Sequence, residues 1–193
     1  MEDKATLKDI LHQYLRLYPQ EAQRQETFNK YLARNTTEEL YTRKNFDGHL
    51  TASAFILNKS LDHILLIYHK SLGKWLQPGG HIDATDANII TAAYREVSEE
   101  TGIAKDQLSL ISNWSEELPF DIDSHHIPEN AKKNEAAHYH HDFRYLFQYS
   151  GSEDITINED ESLDYKWIAL DALVEDEVFG DMVQKIRVVA VKK

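Results

Sequence analysis

The 193-residue chain contains no cysteine, only four prolines and seven glycines, and few positive charges for its length: 21 Lys and Arg against 33 Asp and Glu, a formal net charge of −12. Without cysteine there is no disulfide framework and no thiol chemistry. The acidic balance repels a nucleic acid backbone, and basic residues occur only as short pairs such as Arg43-Lys44 and Lys132-Lys133, so a long RNA or DNA partner is not expected. No apolar run approaches the length of a membrane span, and the start, MEDKATLKDI, has neither the basic nor the apolar region of a signal peptide. The expectation is a cytoplasmic protein with no membrane partner, long enough for one domain with a substantial core or one domain plus an extension.

What the chain does have is a concentration of acid near its middle. Arg95-Glu96-Val97-Ser98-Glu99-Glu100-Thr101-Gly102-Ile103 packs three carboxylates and one arginine before a glycine. Ile90, Ala93, Tyr94 and Val97 recur at helical spacing, which predicts an amphipathic helix from about Asp86 to Thr101, N-capped by Asp86 or Thr85 and stopped at Gly102. Glu96, Glu99 and Glu100 then share one face in the last turn, where the helix dipole disfavours each anion by about 0.3–1 kcal/mol. Arg95 offsets part of this by pairing with Glu99 four residues on, but one cation does not neutralise three anions. A divalent cation does, and hard oxygen donors at this density suit Mg²⁺ or Mn²⁺ rather than Zn²⁺. An isolated E-x-x-E-E string reads more readily as a solvated acidic face, since charge runs are usually surface, so the surrounding sequence has to decide.

That sequence resembles the Nudix hydrolase family, whose box has the form G-x5-E-x7-R-E-U-x-E-E-x-G-U, with U a bulky aliphatic residue. Arg95 to Ile103 matches its second half at every fixed position. In the first half, Gly80 is followed after five residues by Asp86 in place of Glu, and eight residues instead of seven separate Asp86 from Arg95. The extra residue falls near the helix start, where a loop absorbs it without rotating the glutamates; the part of Asp86 is either kept, lost or moved to Asp83. The preceding Lys74-Trp75-Leu76-Gln77-Pro78-Gly79-Gly80 is similar to the W-x-x-P-G-G approach common in the family.

The resemblance implies an α/β/α sandwich with a mixed sheet over residues 47–193, preceded by a helical extension over residues 1–46. It implies a metal-dependent hydrolase cleaving a pyrophosphate linkage in a nucleoside diphosphate joined to another moiety, or in a related small phosphorylated metabolite. Glu96, Glu99 and Glu100 would hold Mg²⁺ or Mn²⁺, with the carbonyl of Gly79 or Gly80 completing the shell. Glu96 or Glu99 would act as base, with Glu117, Asp142, Glu159 and Glu161 as candidates outside the box, and Arg95 would orient a glutamate. Two other readings stay open: an isomerase of isopentenyl diphosphate type, whose metal site uses several histidines, and a non-catalytic Nudix-like ligand sensor.

Elsewhere the residues speak by pattern. Leu7, Ile10, Leu11, Tyr14 and Leu17 form one helical stripe ended by Pro19, Phe28, Tyr31 and Leu32 a second, and Thr36 with Glu39 a capping box. This extension is read as packing on the core or forming a homodimer contact. Strands are expected at Leu50–Leu57 and Ile64–His69 around an Asn58-Lys59-Ser60 hairpin, then over 108–117, 143–149 and 163–168; helices are expected over 170–177 and 181–189. The stretch 119–137 carries no readable motif and is expected to be a loop, opened as a polar one by His125-His126-Ile127-Pro128. In an extended His138 to Tyr145, His138, His140, Asp142 and Arg144 share one face and Tyr139, His141, Phe143 and Tyr145 the other. The first set, with His81 after the glycine pair, is read as binding substrate phosphates, as joining a transition metal, or as structural. Trp75, Trp114, Phe120 and Tyr139 are candidates to stack a base, while Trp167 reads as core.

Overall fold

The computed structural model describes residues 1–112, 118–131 and 134–190. Three helices come first: α1 (Lys4–Leu17), α2 (Glu26–Arg34) and α3 (Thr37–Tyr41). The strands β1 (His49–Leu57), β2 (His63–His69), β3 (Lys74–Leu76) and β4 (Gly79–His81) lead into α4 (Ile89–Thr101). Then follow β5 (Leu108–Leu110), β6 (Asp121–Ile127), β7 (His138–Tyr149), β8 (Ser162–Ala169) and α5 (Gly180–Ala190). All eight strands form one mixed sheet in the order β3-β2-β1-β7-β5, with β4 beside β1, β6 beside β7 and β8 beside β2. Among the described residues, only β1 and β7 run parallel, in register from His49 opposite His140 to Leu57 opposite Gln148.

Alternation along β1 and β7 sends side chains to two layers. Leu50, Ala52, Ala54, Ile56, Phe143, Tyr145 and Phe147 bury against α1, α2 and α4, whereas Phe55, Leu57 and Leu146 bury with Phe120 and the α5 residues Val183 and Ile186. The expected α/β/α arrangement with its N-terminal helices is therefore present. The helices fall where the stripes of Leu7, Ile10, Leu11 and Tyr14 and of Phe28, Tyr31 and Leu32 place them, and Thr36 with Glu39 forms the capping box.

Several elements differ from the sequence expectation. β6 occupies part of the stretch expected as a loop, because Asp-Ile-Asp-Ser-His-His-Ile has too few apolar residues to announce a strand; its backbone is claimed by seven register pairs with β7. β3 and β4 are three residues each, too short to carry a period. Only Leu170–Leu173 is helical in the predicted 170–177 helix, and as a 3₁₀ turn. β5 ends at Leu110, while positions 113–117, with Trp114 and Glu117, lie outside the described residues.

One ionic cluster ties both layers to the sheet. Asp121, at the start of β6, accepts from Lys185 Nζ of α5 at 2.9 Å, from Arg24 Nη2 at 2.6 Å and from Arg144 Nη1 of β7 at 3.3 Å. Lys185 also donates to Glu21 at 2.9 Å and to the Tyr14 hydroxyl of α1 at 2.7 Å, and Tyr14 in turn donates to Glu21. Burial alone would raise the Asp121 carboxyl, but Lys185, Arg144 and Arg24 outweigh it and hold it well below the usual carboxylate range. Because its folded pKa is depressed, Asp121 contributes stability that is complete above the ordinary carboxylate value and drains away as pH falls toward the depressed one. Asp121→Asn should cost about 1.5–3 kcal/mol in urea unfolding, since it takes one charged acceptor from Lys185, Arg24 and Arg144 while Glu21, Asp123 and Asp142 still pair with them, and should flatten the loss of stability in acid; a change below about 1 kcal/mol would show that the cluster is not what joins the layers.

Candidate active site

α4 begins at Ile89, capped by Asn88: Asn88 Oδ1 accepts from Thr91 N–H and Thr91 Oγ1 accepts from Asn88 N–H, both at 3.0 Å. The expected cap, Asp86, is otherwise engaged. It closes a turn by accepting from Asp83 N–H at 2.8 Å and pairs with Arg95 Nη2 at 3.0 Å and Nε at 3.1 Å. The extra residue of the box is thus taken up before the first helical turn, and Asp86 keeps an ion pair with Arg95. Asp83 lies 3.9 Å from Arg95 and is half exposed. Gly102 ends the helix in the left-handed conformation at φ 67°, as expected.

The guanidinium of Arg95 is the hub of the site. Besides Asp86 it reaches Glu96 at 3.0 Å and Glu99 at 2.9 Å through Nη1, and through Nη2 it donates to the carbonyl of His81 at 2.8 Å, so one side chain fixes the acidic turn of α4 against β4. Glu96 and Glu100 are buried, while the Glu99 side chain is 53 % exposed. Glu100 accepts from Gly79 N–H at 2.8 Å. The glycine pair is dictated by these approaches: a Cβ on Gly79, at φ 158°, would sit 2.3 Å from Ser53 Cβ, and one on Gly80 would sit 2.7 Å from the Glu96 carboxylate.

Burial pushes the Glu96 carboxyl up to about 7; Arg95 opposes this and the Glu99 and Glu161 anions add to it. Burial pushes Glu100 up to about 8, opposed by the Gly79 N–H and reinforced by Glu96, Glu161 and Glu99. Glu161, from the loop before β8, therefore shares the field of the box. Two buried carboxylates that resist ionisation side by side, with oxygen donors only, fit a hard divalent cation, and Glu96, Glu99 and Glu100 are side chains that could hold one.

On the other side of β4 lies a field of polar side chains on one sheet face. The register aligns His49, Thr51 and Ser53 of β1 with His140, Asp142 and Arg144 of β7 and with His125, Asp123 and Asp121 of β6, and places His81 opposite Thr51. The alternation of His138, His140, Asp142 and Arg144 is thus as expected from the sequence. Asp142 accepts from Thr51 at 3.0 Å, Ser53 at 2.7 Å and Arg144 Nε at 3.0 Å. Arg144 further donates to Asp121 and Asp123, so an incoming phosphate has to displace a carboxylate to reach it. His49, Asp121 and Asp123 were not singled out from the sequence. The signal available was the Gly48-His49-Leu50 start of a strand, which carries meaning only once β1 is laid beside β7. Of the aromatic candidates, Phe120 is buried in the α5 layer, Trp75 packs against that layer under Lys166, and Tyr139 is exposed. Trp167 is partly buried against the core and donates to the Glu153 carbonyl.

The NUDIX domain family matches residues 47–187. The chain belongs to the Nudix family. A curated relative, named a probable DHNTP pyrophosphohydrolase of Lactococcus lactis subsp. cremoris, is 34 % identical over 63 % of this chain and 67 % of its own length. The asymmetrical bis(5'-nucleosyl)-tetraphosphatase of Mus musculus is 35 % identical over 33 % of this chain and 42 % of that protein. The crystal structure of a C. elegans Ap4A hydrolase binary complex superposes with a TM-score of 0.56 at 19 % identity, covering 75 % of this chain and 98 % of that one, a likeness of fold. The protein is a Nudix pyrophosphohydrolase, acting on phosphoanhydrides, in a family that is generally dependent on divalent metal. Among the described residues, no helix is long and apolar enough to cross a membrane.

A pH signature follows for the metal-free protein. Glu96 and Glu100 have folded pKa values above their unfolded ones, so their contribution to stability is complete below about 4.5 and is lost as pH rises through about 7 and 8. The melting temperature without metal should fall between pH 5 and pH 8.5, and the gain on adding Mg²⁺ should be larger at pH 8.5 than at pH 6. Equal Mg²⁺ shifts at both pH values, or in a Glu96/Glu99/Glu100 triple glutamine variant, would place the cation elsewhere.

Proposed function

We propose that the protein is a Mg²⁺-dependent hydrolase of a small phosphorylated substrate, a nucleoside diphosphate linked to a second moiety or a related polyphosphate. The observation that carries this reading is the burial of Glu96 and Glu100 against Gly79 and Gly80, with Arg95 holding the turn. Glu96, Glu99, Glu100 and the Gly80 carbonyl would hold the cation, with Mn²⁺ as the alternative. When bound, it supplies the positive charge that polarises a phosphoryl oxygen and acidifies an attacking water. Glu99, the box carboxylate most open to solvent, accepts that water's proton, and Arg95 sets the orientation of Glu96 and Glu99 before substrate arrives. Asp142 is held by Thr51, Ser53 and Arg144 and is poorly placed to serve as the base.

The substrate class is supported by the names of the two curated relatives, a pyrophosphohydrolase and a tetraphosphatase, both of which describe cleavage within a phosphoanhydride chain. A net charge of −12 disfavours such an anion, so productive binding depends on the cation. The deciding experiment is a panel of nucleoside triphosphates, dinucleoside polyphosphates, ADP-ribose, sugar nucleotides, NADH and coenzyme A with Mg²⁺, scored by product identity. Glu100→Gln should abolish turnover with the fold retained, and Glu99→Gln should lower kcat by about 10²–10⁴-fold. Full turnover of Glu100→Gln would remove the assigned metal site.

A further inference from the structure

Among the described residues, one group of three side chains brings potential ligand atoms to within 4.8 Å of one another, and it lies outside the glutamate turn: His49, His138 and His140. We propose that these three imidazoles form a second metal site, for a transition ion of the Zn²⁺ class, with His81 as the fourth donor. The inference does not rest on the assignment of Mg²⁺ to the glutamates.

Imidazoles on a tetrahedral ion at about 2.0–2.1 Å from each nitrogen stand about 3.4 Å apart. His138 Nε2 and His140 Nε2 are 3.2 Å apart, and His49 Nε2 and His81 Nε2 3.0 Å, so both pairs already sit near that spacing. The rings gather tightly: centroids are 4.9 Å apart for His49 and His138, 4.6 Å for His49 and His140, and 5.3 Å for His81 and His140.

The tautomers favour ligation. His138 Nδ1 faces the Ala136 carbonyl at 2.7 Å and must donate to it, which leaves the Nε2 lone pair pointing at the other rings. That outward hydrogen bond is the kind a metal-bound imidazole makes. His49 is 2 % exposed, so its ring is held out of bulk water against the other imidazoles, with its Nε2 turned toward His81. Burial, with the facing imidazoles, pushes His49 down to about 4 and His140 to about 2, so both rings are held in the neutral, ligand-ready form.

The chemistry of the two sites differs. An all-imidazole set selects Zn²⁺, Co²⁺ or Ni²⁺ over Mg²⁺, whereas the carboxylates across β4 make the opposite choice. Three strands, β1, β4 and β7, meet at the histidines, and the His81 carbonyl of β4 is tied to Arg95. An ion there would cross-link the N-terminal ends of the parallel pair to the strand that carries Gly80, and would put positive charge into the polar sheet face of an acidic protein.

The test uses the full chain stripped with a chelator and dialysed. Titration with Zn²⁺ should give one tight equivalent, and Co²⁺ should show the intense visible absorption of a tetrahedral nitrogen site. Both signals should weaken at least about 100-fold in affinity in His138→Gln and in His140→Gln, each checked for folding by circular dichroism, and should persist in Glu100→Gln. His138→Gln, at the strand end, is the variant least able to disturb the core. No tight equivalent in the wild type, an octahedral Co²⁺ spectrum, or equal affinity in folded His138→Gln and His140→Gln would overturn the proposal. Because Glu100→Gln removes turnover but not the Co²⁺ signal, failure of the hydrolase reading and failure of this one give different results.

Discussion

The site depends on a single guanidinium in a crowded place. Arg95 meets Asp86, Glu96, Glu99 and the His81 carbonyl at once, and together with the Gly79 N–H on Glu100 it holds the acidic last turn of α4 against a three-residue strand. Its positive charge lowers the cost of bringing Glu96 near Glu99, and its planar fork aims each contact. The cost that remains is visible in the raised Glu96 and Glu100 carboxyls, which is the electrostatic condition in which a divalent cation gains most from binding.

β4 is the partition of the molecule. Gly79 gives its N–H to Glu100, and Gly80 leaves the space where the Glu96 carboxylate lies, while His81 faces the imidazoles of β1 and β7. Hard oxygen donors and softer nitrogen donors thus occupy neighbouring places divided by three residues of backbone. The same strand is held from β1 by register and from α4 by Arg95.

The polar face of the sheet is built to stay ordered. Arg144 spends its nitrogens on Asp121, Asp123 and Asp142, and Asp142 accepts from Thr51 and Ser53, so a buried charge is matched on every side. Asp121 extends this network to Lys185 and Arg24 and so to the outer helices. Stability of the layers and order of the site therefore share one set of ion pairs.

The sequence by itself determined the helix that carries the glutamates, its glycine stop, the Arg95–Glu99 pair and the face shared by His138, His140, Asp142 and Arg144, because helical and strand periods are local and residue spacing fixes them. The family followed from the same stretch, Arg95 to Ile103 with its Pro78-Gly79-Gly80 approach. Only the tertiary structure decided that Asn88 and not Asp86 caps α4, since Asp86 is drawn away by an arginine nine residues on. Only it made a strand of Asp121–Ile127, whose hydrogen bonds come from β7, and brought His49 to His138, His140 and His81. Those contacts join residues separated by tens of positions, and no local period encodes a register between strands that meet only when the sheet closes.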